Sequence, residues 1–160
     1  MRTYDESCVE PEIGSPPLYF WKRCYALFVR RNSIKLNSNL VLCVDDEVVG
    51  LQVRKILLER AGYRVLAASD GPAGLEIFLS EPVEAVVLDY SMPGMHGGEV
   101  AVRMRHAKPQ VPILLLSAYM GLPPEVTSLV DLYMTKGEGA PVLLEKLASL
   151  LQPVINASQE

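Results

Sequence analysis

From Asn39 onward the chain alternates between two hydrophobic patterns. Short apolar runs, bounded by turn residues, are followed by longer stretches with apolar residues at helical spacing. LVLCV (40–44) predicts a first strand, and EVVGLQVRKILLERAG (47–62) predicts a helix with Val49, Val53, Ile56 and Leu57 on its inward face. Gly62 is the expected stop. RVLAA (64–68) reads as a second strand, and Asp70, Gly71 and Pro72 open a helix through Leu79. EAVVLDY (84–90) is the third strand and GEVAVRMRHA (98–107) the third helix. VPILLLSA (111–118) is the fourth strand, after which Pro123 and Pro124 can start only a short helix. LYMT (132–135) is the fifth strand, and PVLLEKLASLL (141–151) closes the pattern as a helix with Leu143, Leu147 and Leu150 facing inward.

Strands that are apolar throughout belong to parallel sheets covered on both faces. The alternation therefore predicts an α/β fold, a doubly wound five-stranded parallel sheet with helices on both faces and right-handed crossovers. In such sheets ligands sit at the carboxyl ends of the strands, at the point where strand order reverses.

The polar residues that interrupt the pattern fall at that edge. Strand one ends on Asp45 and Asp46, strand three on Asp89, strand four on Ser117 and strand five on Lys136; strand two ends without an acid of this kind. A single Asp after a strand is usually a turn or cap residue, and the pair Asp45–Asp46 alone reads as a cap for the next helix. Four strands delivering complementary chemistry to one edge weigh against those readings. At about 4 Å, each pair of carboxylates repels by roughly 4 kcal/mol at an effective dielectric near 20. A hard divalent cation such as Mg²⁺ suits carboxylates, backbone carbonyls and water, and would relieve that repulsion. With the Lys136 ammonium and the Ser117 hydroxyl around an exposed carboxylate, such an edge suits a phosphoryl group. The carboxylate can serve as nucleophile and form an acyl phosphate.

Composition narrows the class. The 160 residues, 49% apolar and 21% charged, are those of an ordinary globule with one domain and some length to spare. Of 15 Lys/Arg and 19 Asp/Glu, residues 1–38 hold six and four, a net +2, which leaves nine and fifteen, a net −6, for the remainder. An acidic domain is a poor binder of nucleic acid, so direct DNA binding is not expected. Cys8, Cys24 and Cys43 show no metal spacing and fit a reducing, cytoplasmic setting. The N-terminal run PPLYFW is broken by Lys22 and Arg23, too short for a membrane span and unlike a signal peptide. Residues 1–38 are expected to form a flexible extension, with a short aromatic, basic helix at LYFWKRCYALFVRR as the alternative. Residues 153–160 are expected to be a tail too short for an attached DNA-binding domain.

In order along the chain, VDDE, DYSMPGMHG with Asp89, Met92, Pro93 and Gly97, LLLSA with Ser117 and Ala118, and YMTK with Tyr133 and Lys136 resemble the motifs of the receiver domain of two-component response regulators. Each motif is weak alone; together they are specific, and the resemblance spans residues 39–152. It implies the flavodoxin-like receiver fold and a phosphoacceptor that is not itself an enzyme acting on a separate substrate. Asp89 would take a phosphoryl group from a phosphohistidine, on a histidine kinase or a histidine phosphotransfer protein. Asp46, Asp89 and the Ser91 carbonyl would hold Mg²⁺, with Asp45 assisting through water. Lys136 would pair with the phosphate, Ser117 would move to bond it, and Tyr133 would swing inward behind Ser117. With no output domain expected, the signal would pass to an unknown downstream protein. Three departures stand out: Gly137 replaces the customary Pro, the interval from Ser117 to Lys136 is shorter than usual, and the Gly-Ala before strand five is absent. They imply a short or distorted fourth helix on the face that commonly carries output.

Two other readings compete. A pseudo-receiver would bind partners without phosphorylation, and the full acidic set speaks against it. A phosphatase with an aspartyl nucleophile would want a second acid two residues on, where this chain has Ser91. A dinucleotide-binding reading fails because no Gly-rich turn follows strand one.

Overall fold

The computed structural model describes residues 39–152; the expectations for residues 1–38 and 153–160 lie outside the described residues. Five strands, β1 (Leu40–Val44), β2 (Arg64–Ala68), β3 (Ala85–Asp89), β4 (Ile113–Ser117) and β5 (Leu132–Thr135), form one sheet in the order β2-β1-β3-β4-β5. Every pairing is parallel, with Val44 opposite Leu88, Asp89 opposite Leu116 and Ser117 opposite Thr135. The helices between and after them are α1 (Val48–Arg60), α2 (Gly71–Ser80), α3 (Gly97–Ala107), α4 (Pro124–Thr127) and α5 (Ala140–Leu150). The order of strands reverses between β1 and β3, so their carboxyl ends flank the crevice where such sheets hold ligands. No helix among the described residues is long and apolar enough to cross a membrane.

The continuous apolar strands explain the two-sided covering. Alternate residues point to opposite faces. Leu42 and Val44 join Phe78, Val86, Leu88, Val100 and Met104 in one core, under α2 and α3. Val41 and Cys43 join Leu51, Leu58, Val87, Leu114, Leu143 and Leu147 in the other, under α1 and α5. Fully burying one such aliphatic side chain stabilises by about 1.5–3 kcal/mol, so both sets hold the sheet. The inward face expected for α5 is the one observed, with Leu143 and Leu147 buried and Leu150 partly so.

The face expected for α1 is not. Val49 is 71% exposed, and Val53 and Ile56 are also exposed. The helix buries Leu51 and Leu58 instead, with Leu57 partly buried beside them. Arg54 lies between those two leucines on the inward stripe, and this cation in the middle of the stripe misled the reading of apolar spacing. Asp45 differs too from its simplest reading, because it does not cap α1. Its Oδ1 accepts from the Glu47 backbone N–H at 2.7 Å, and Glu47, the N-cap, supplies no side-chain cap.

α4 is short as expected, four residues between Pro123 and Ser128. The connection around it is fastened from α3. Arg105 Nε donates to the Leu129 carbonyl at 3.0 Å, Nη1 to the Pro109 carbonyl at 2.8 Å, and Nη2 to Asp131 Oδ2 at 2.6 Å. Asp131 Oδ2 also accepts from the Ile113 N–H at 2.8 Å, which ties the chain entering β5 to the start of β4.

Candidate functional site

The sheet brings the predicted residues to one edge. Asp45 follows β1 directly and Asp89 ends β3; both are 1% exposed, while Asp46 is exposed. One carboxylate oxygen from each of the three lies within 4.8 Å of the others. Lys136 follows β5 and reaches across the edge, with Nζ 3.1 Å from Asp45 Oδ2 and 3.0 Å from Asp89 Oδ1. Gly137 in place of Pro thus leaves the ammonium able to reach both carboxylates.

The turn after β3 is shaped to hold Asp89 in place. The Gly97 N–H donates to the Tyr90 carbonyl at 2.9 Å, closing the loop back on the strand. A Cβ at Gly97 would overlap the Asp89 carbonyl oxygen and crowd Tyr90 Cα. Those are backbone atoms, which a rotamer change cannot move aside. The next helix begins at His96, whose Nδ1 accepts from the Gly98 N–H at 3.1 Å, an imidazole in the role usually held by Ser or Asp.

Asp89 is the atypical acid. Burial pushes its carboxyl above the ordinary value of 3.8; the paired Lys136 ammonium and a Ser91 backbone hydrogen bond oppose that push, while the Asp45 charge adds to it. Burial alone would lower the Lys136 ammonium, but Asp89 and Asp45 outweigh it and hold Lys136 above 10.5. The ammonium neutralises Asp89 Oδ1 at 3.0 Å, yet no donor meets that buried oxygen with hydrogen-bond geometry. Beyond the Lys136 ion pair, that oxygen has no hydrogen-bond partner among the described residues. Three carboxylates with such an oxygen form a donor set that fits a hard divalent cation.

The remaining predicted residues take different places. Ser117 is fully buried at the end of β4, and its Oγ accepts from the Tyr119 N–H at 2.9 Å. Tyr133 is 45% exposed on β5. Ser91 is exposed, with its backbone hydrogen-bonded to Asp89. Burial pushes the Cys43 thiol up to about 12, so the free cysteine of β1 stays a protonated core residue.

One residue of the site was missed from sequence: Arg54, whose Nη2 is ion-paired to Asp45 Oδ2. The available signal was Gly50, a helix-interior glycine one turn before it.

The comparisons with known proteins agree with this fold. The family model for the response regulator receiver domain matches residues 41–148. The probable transcriptional regulator ycf27 of Cyanophora paradoxa is 32% identical over 126 residues, covering 77% of this chain and 52% of that protein. The sensor histidine kinase GacS of Pseudomonas protegens is 41% identical over 85 residues, 49% of this chain and 9% of that one. This chain spans about half the length of the curated transcriptional regulators it matches. Among solved structures, response regulator TrrA of Thermotoga maritima, in complex with Mg²⁺-BeF, superposes with a TM-score of 0.68 at 34% identity, over 71% of this chain and 99% of that one. TrrA in complex with histidine kinase ThkA superposes with a TM-score of 0.67 at 34% identity, over 71% of this chain and 99% of TrrA.

Proposed function

We propose, because this chain belongs to the response regulator receiver domain family, that Asp89 accepts a phosphoryl group from a phosphohistidine and that the chain signals in that form through a partner protein. The observation that carries this reading is the Asp89 carboxylate itself. It is buried at the end of β3, it keeps an oxygen without a hydrogen-bond donor, and its nearest cation is Lys136 at 3.0 Å. That oxygen attacks phosphorus, the bond from phosphorus to the imidazole nitrogen breaks, the leaving ring takes up a proton from solvent, and the products are an aspartyl phosphate and a neutral histidine. Lys136 remains beside the new phosphate and balances part of its charge.

Asp46, Asp89 and the Ser91 carbonyl would hold Mg²⁺, with Asp45 nearby. When bound, the ion neutralises charge on the transferring phosphoryl oxygens. Ser117 then has a reason to leave the Tyr119 N–H for a phosphate oxygen. A charge-assisted bond of about 1.5–3 kcal/mol shifts a two-state equilibrium by about 10- to 150-fold, enough for Tyr133 to exchange its exposed position for the space Ser117 vacates. The chain acts as a phosphoacceptor and not as an enzyme with a separate substrate. Its donor is a histidine kinase or a histidine phosphotransfer protein, as TrrA pairs with ThkA. The net −6 outside residues 1–38 favours a protein partner over DNA, and the free thiol at Cys43 suits the cytoplasm.

Incubation with acetyl phosphate tests this. The intact mass rises by one phosphate when Mg²⁺ is present and stays unchanged when the ion is chelated. No mass change in either condition would favour the pseudo-receiver.

A further inference from the structure

Arg54 occupies a position where a cation is unfavourable unless it has a partner. It lies three residues after Leu51 and four before Leu58, on the buried stripe of α1, with its side chain 14% exposed. The partner is Asp45 Oδ2. Room for the guanidinium comes from Gly50. A Cβ there would stand 3.2 Å from Arg54 Nη2 and 3.4 Å from Nη1, so the guanidinium lies against the bare backbone one turn back. Glycine inside a helix is destabilising relative to alanine, and here the Arg54 guanidinium and the Glu47 carboxylate, also 3.2 Å away, both pack against it.

The result is that Asp45 is fully engaged by the protein itself. Oδ1 accepts from the Glu47 N–H, while Oδ2 is shared between Arg54 and Lys136. Lys136 also serves Asp89, whereas Arg54 makes its ion pair with Asp45 alone among the described residues. Of the three clustered carboxylates, Asp45 is therefore the one already neutralised from α1. We propose that Arg54 is a resident counterion that competes with the divalent cation for Asp45, and so sets the metal affinity of the site. This rests on the phosphoacceptor reading given above. Arg54 acts as a positioning residue: it holds Asp45 in the metal-free state and is released, wholly or in part, as the ion binds. Linkage is reciprocal, so whatever Arg54 subtracts from cation affinity, the bound cation subtracts from the Arg54–Asp45 contact.

The test is a calorimetric titration of the full chain with Mg²⁺, together with melting temperatures with and without the ion. Arg54→Gln should bind Mg²⁺ about fivefold tighter or more, the range expected for coupled sites. It should melt lower than wild type without the ion and recover most of that difference at saturating Mg²⁺. Arg54→Lys, which keeps the charge, should stay close to the wild-type affinity. Arg54→Met removes the charge but packs between Leu51 and Leu58, and it decides the matter if the Gln variant does not fold. An unchanged or weaker affinity in the charge-removed variants, with equal melting losses in both conditions, would overturn this inference and leave the phosphoacceptor reading standing. Absence of Mg²⁺ binding in wild type and every variant would overturn both.

Discussion

Asp89 carries a cost to stability that the proposed phosphoacceptor role accounts for. Its carboxyl is raised above 3.8, chiefly by burial, so the folded chain holds that proton more tightly than the unfolded chain. Between 3.8 and the raised value the folded state binds more protons, and stability falls as pH rises through that window. Above it the penalty is constant. Asp89→Asn removes the penalty, so the variant should melt higher than wild type near pH 7. The gap should close as the pH falls through the raised value and below 3.8, where the wild-type carboxyl becomes protonated in both states. Melting curves of the two proteins across that range check the sign. Lys136 works at the other end: raised above 10.5, it contributes stability that is full below 10.5 and is lost as pH rises through its folded value. Asp45, Asp46, Asp89, Ser117 and Lys136 were legible in the sequence because each ends or follows an apolar strand, and the sheet's parallel order sends all such ends to one edge. Arg54 was not legible, because a cation within an amphipathic helix reads as solvent-facing. Only the buried acid it meets, nine residues earlier in the chain, turns it inward.

At the scale of elements, apolar spacing alone misplaces the inward face of α1. The apolar stripe of Val49, Val53 and Ile56 does not face the sheet; it is exposed on the helix that begins beside Asp46. Under the proposed function, a partner delivering a phosphoryl group to Asp89 would pass close to this helix, and an exposed aliphatic face suits a hydrophobic contact. Val53→Glu should therefore leave labelling by acetyl phosphate intact. Transfer from a phosphorylated histidine phosphotransfer protein should slow by about tenfold or more, the size of effect seen when a central interface residue is lost. The short α4 was legible from the reduced interval and the paired prolines. The device that holds it was not, since Arg105 joins the nearby Pro109 and Val111 carbonyls to Leu129 and Asp131, 24 and 26 positions on. Arg105→Ala releases three carbonyl contacts and the Asp131 pair. It should lower stability by about 1–3 kcal/mol, read from urea unfolding, while Asp89 labelling persists.

At the scale of the molecule, the order β2-β1-β3-β4-β5 converts a one-dimensional pattern into a site. Neighbours in the chain are separated and distant residues are joined: Lys136 meets Asp45 across 91 positions. Fold class and the membership of the edge followed from the alternation of apolar runs. The geometry within the edge did not, because it depends on which oxygens are already satisfied. Asp45 is engaged by Glu47, Arg54 and Lys136, while Asp89 Oδ1 has only the Lys136 ion pair, and this asymmetry supports the proposal that Asp89 is the nucleophile. The most direct measurement traps the acyl phosphate itself. After incubation with acetyl phosphate and Mg²⁺, borohydride reduction converts an aspartyl phosphate to homoserine, and peptide mass spectrometry locates it. The account predicts homoserine at position 89 alone and none in Asp89→Asn. Homoserine at position 45 or 46, or a phosphate retained by Asp89→Asn, would contradict it.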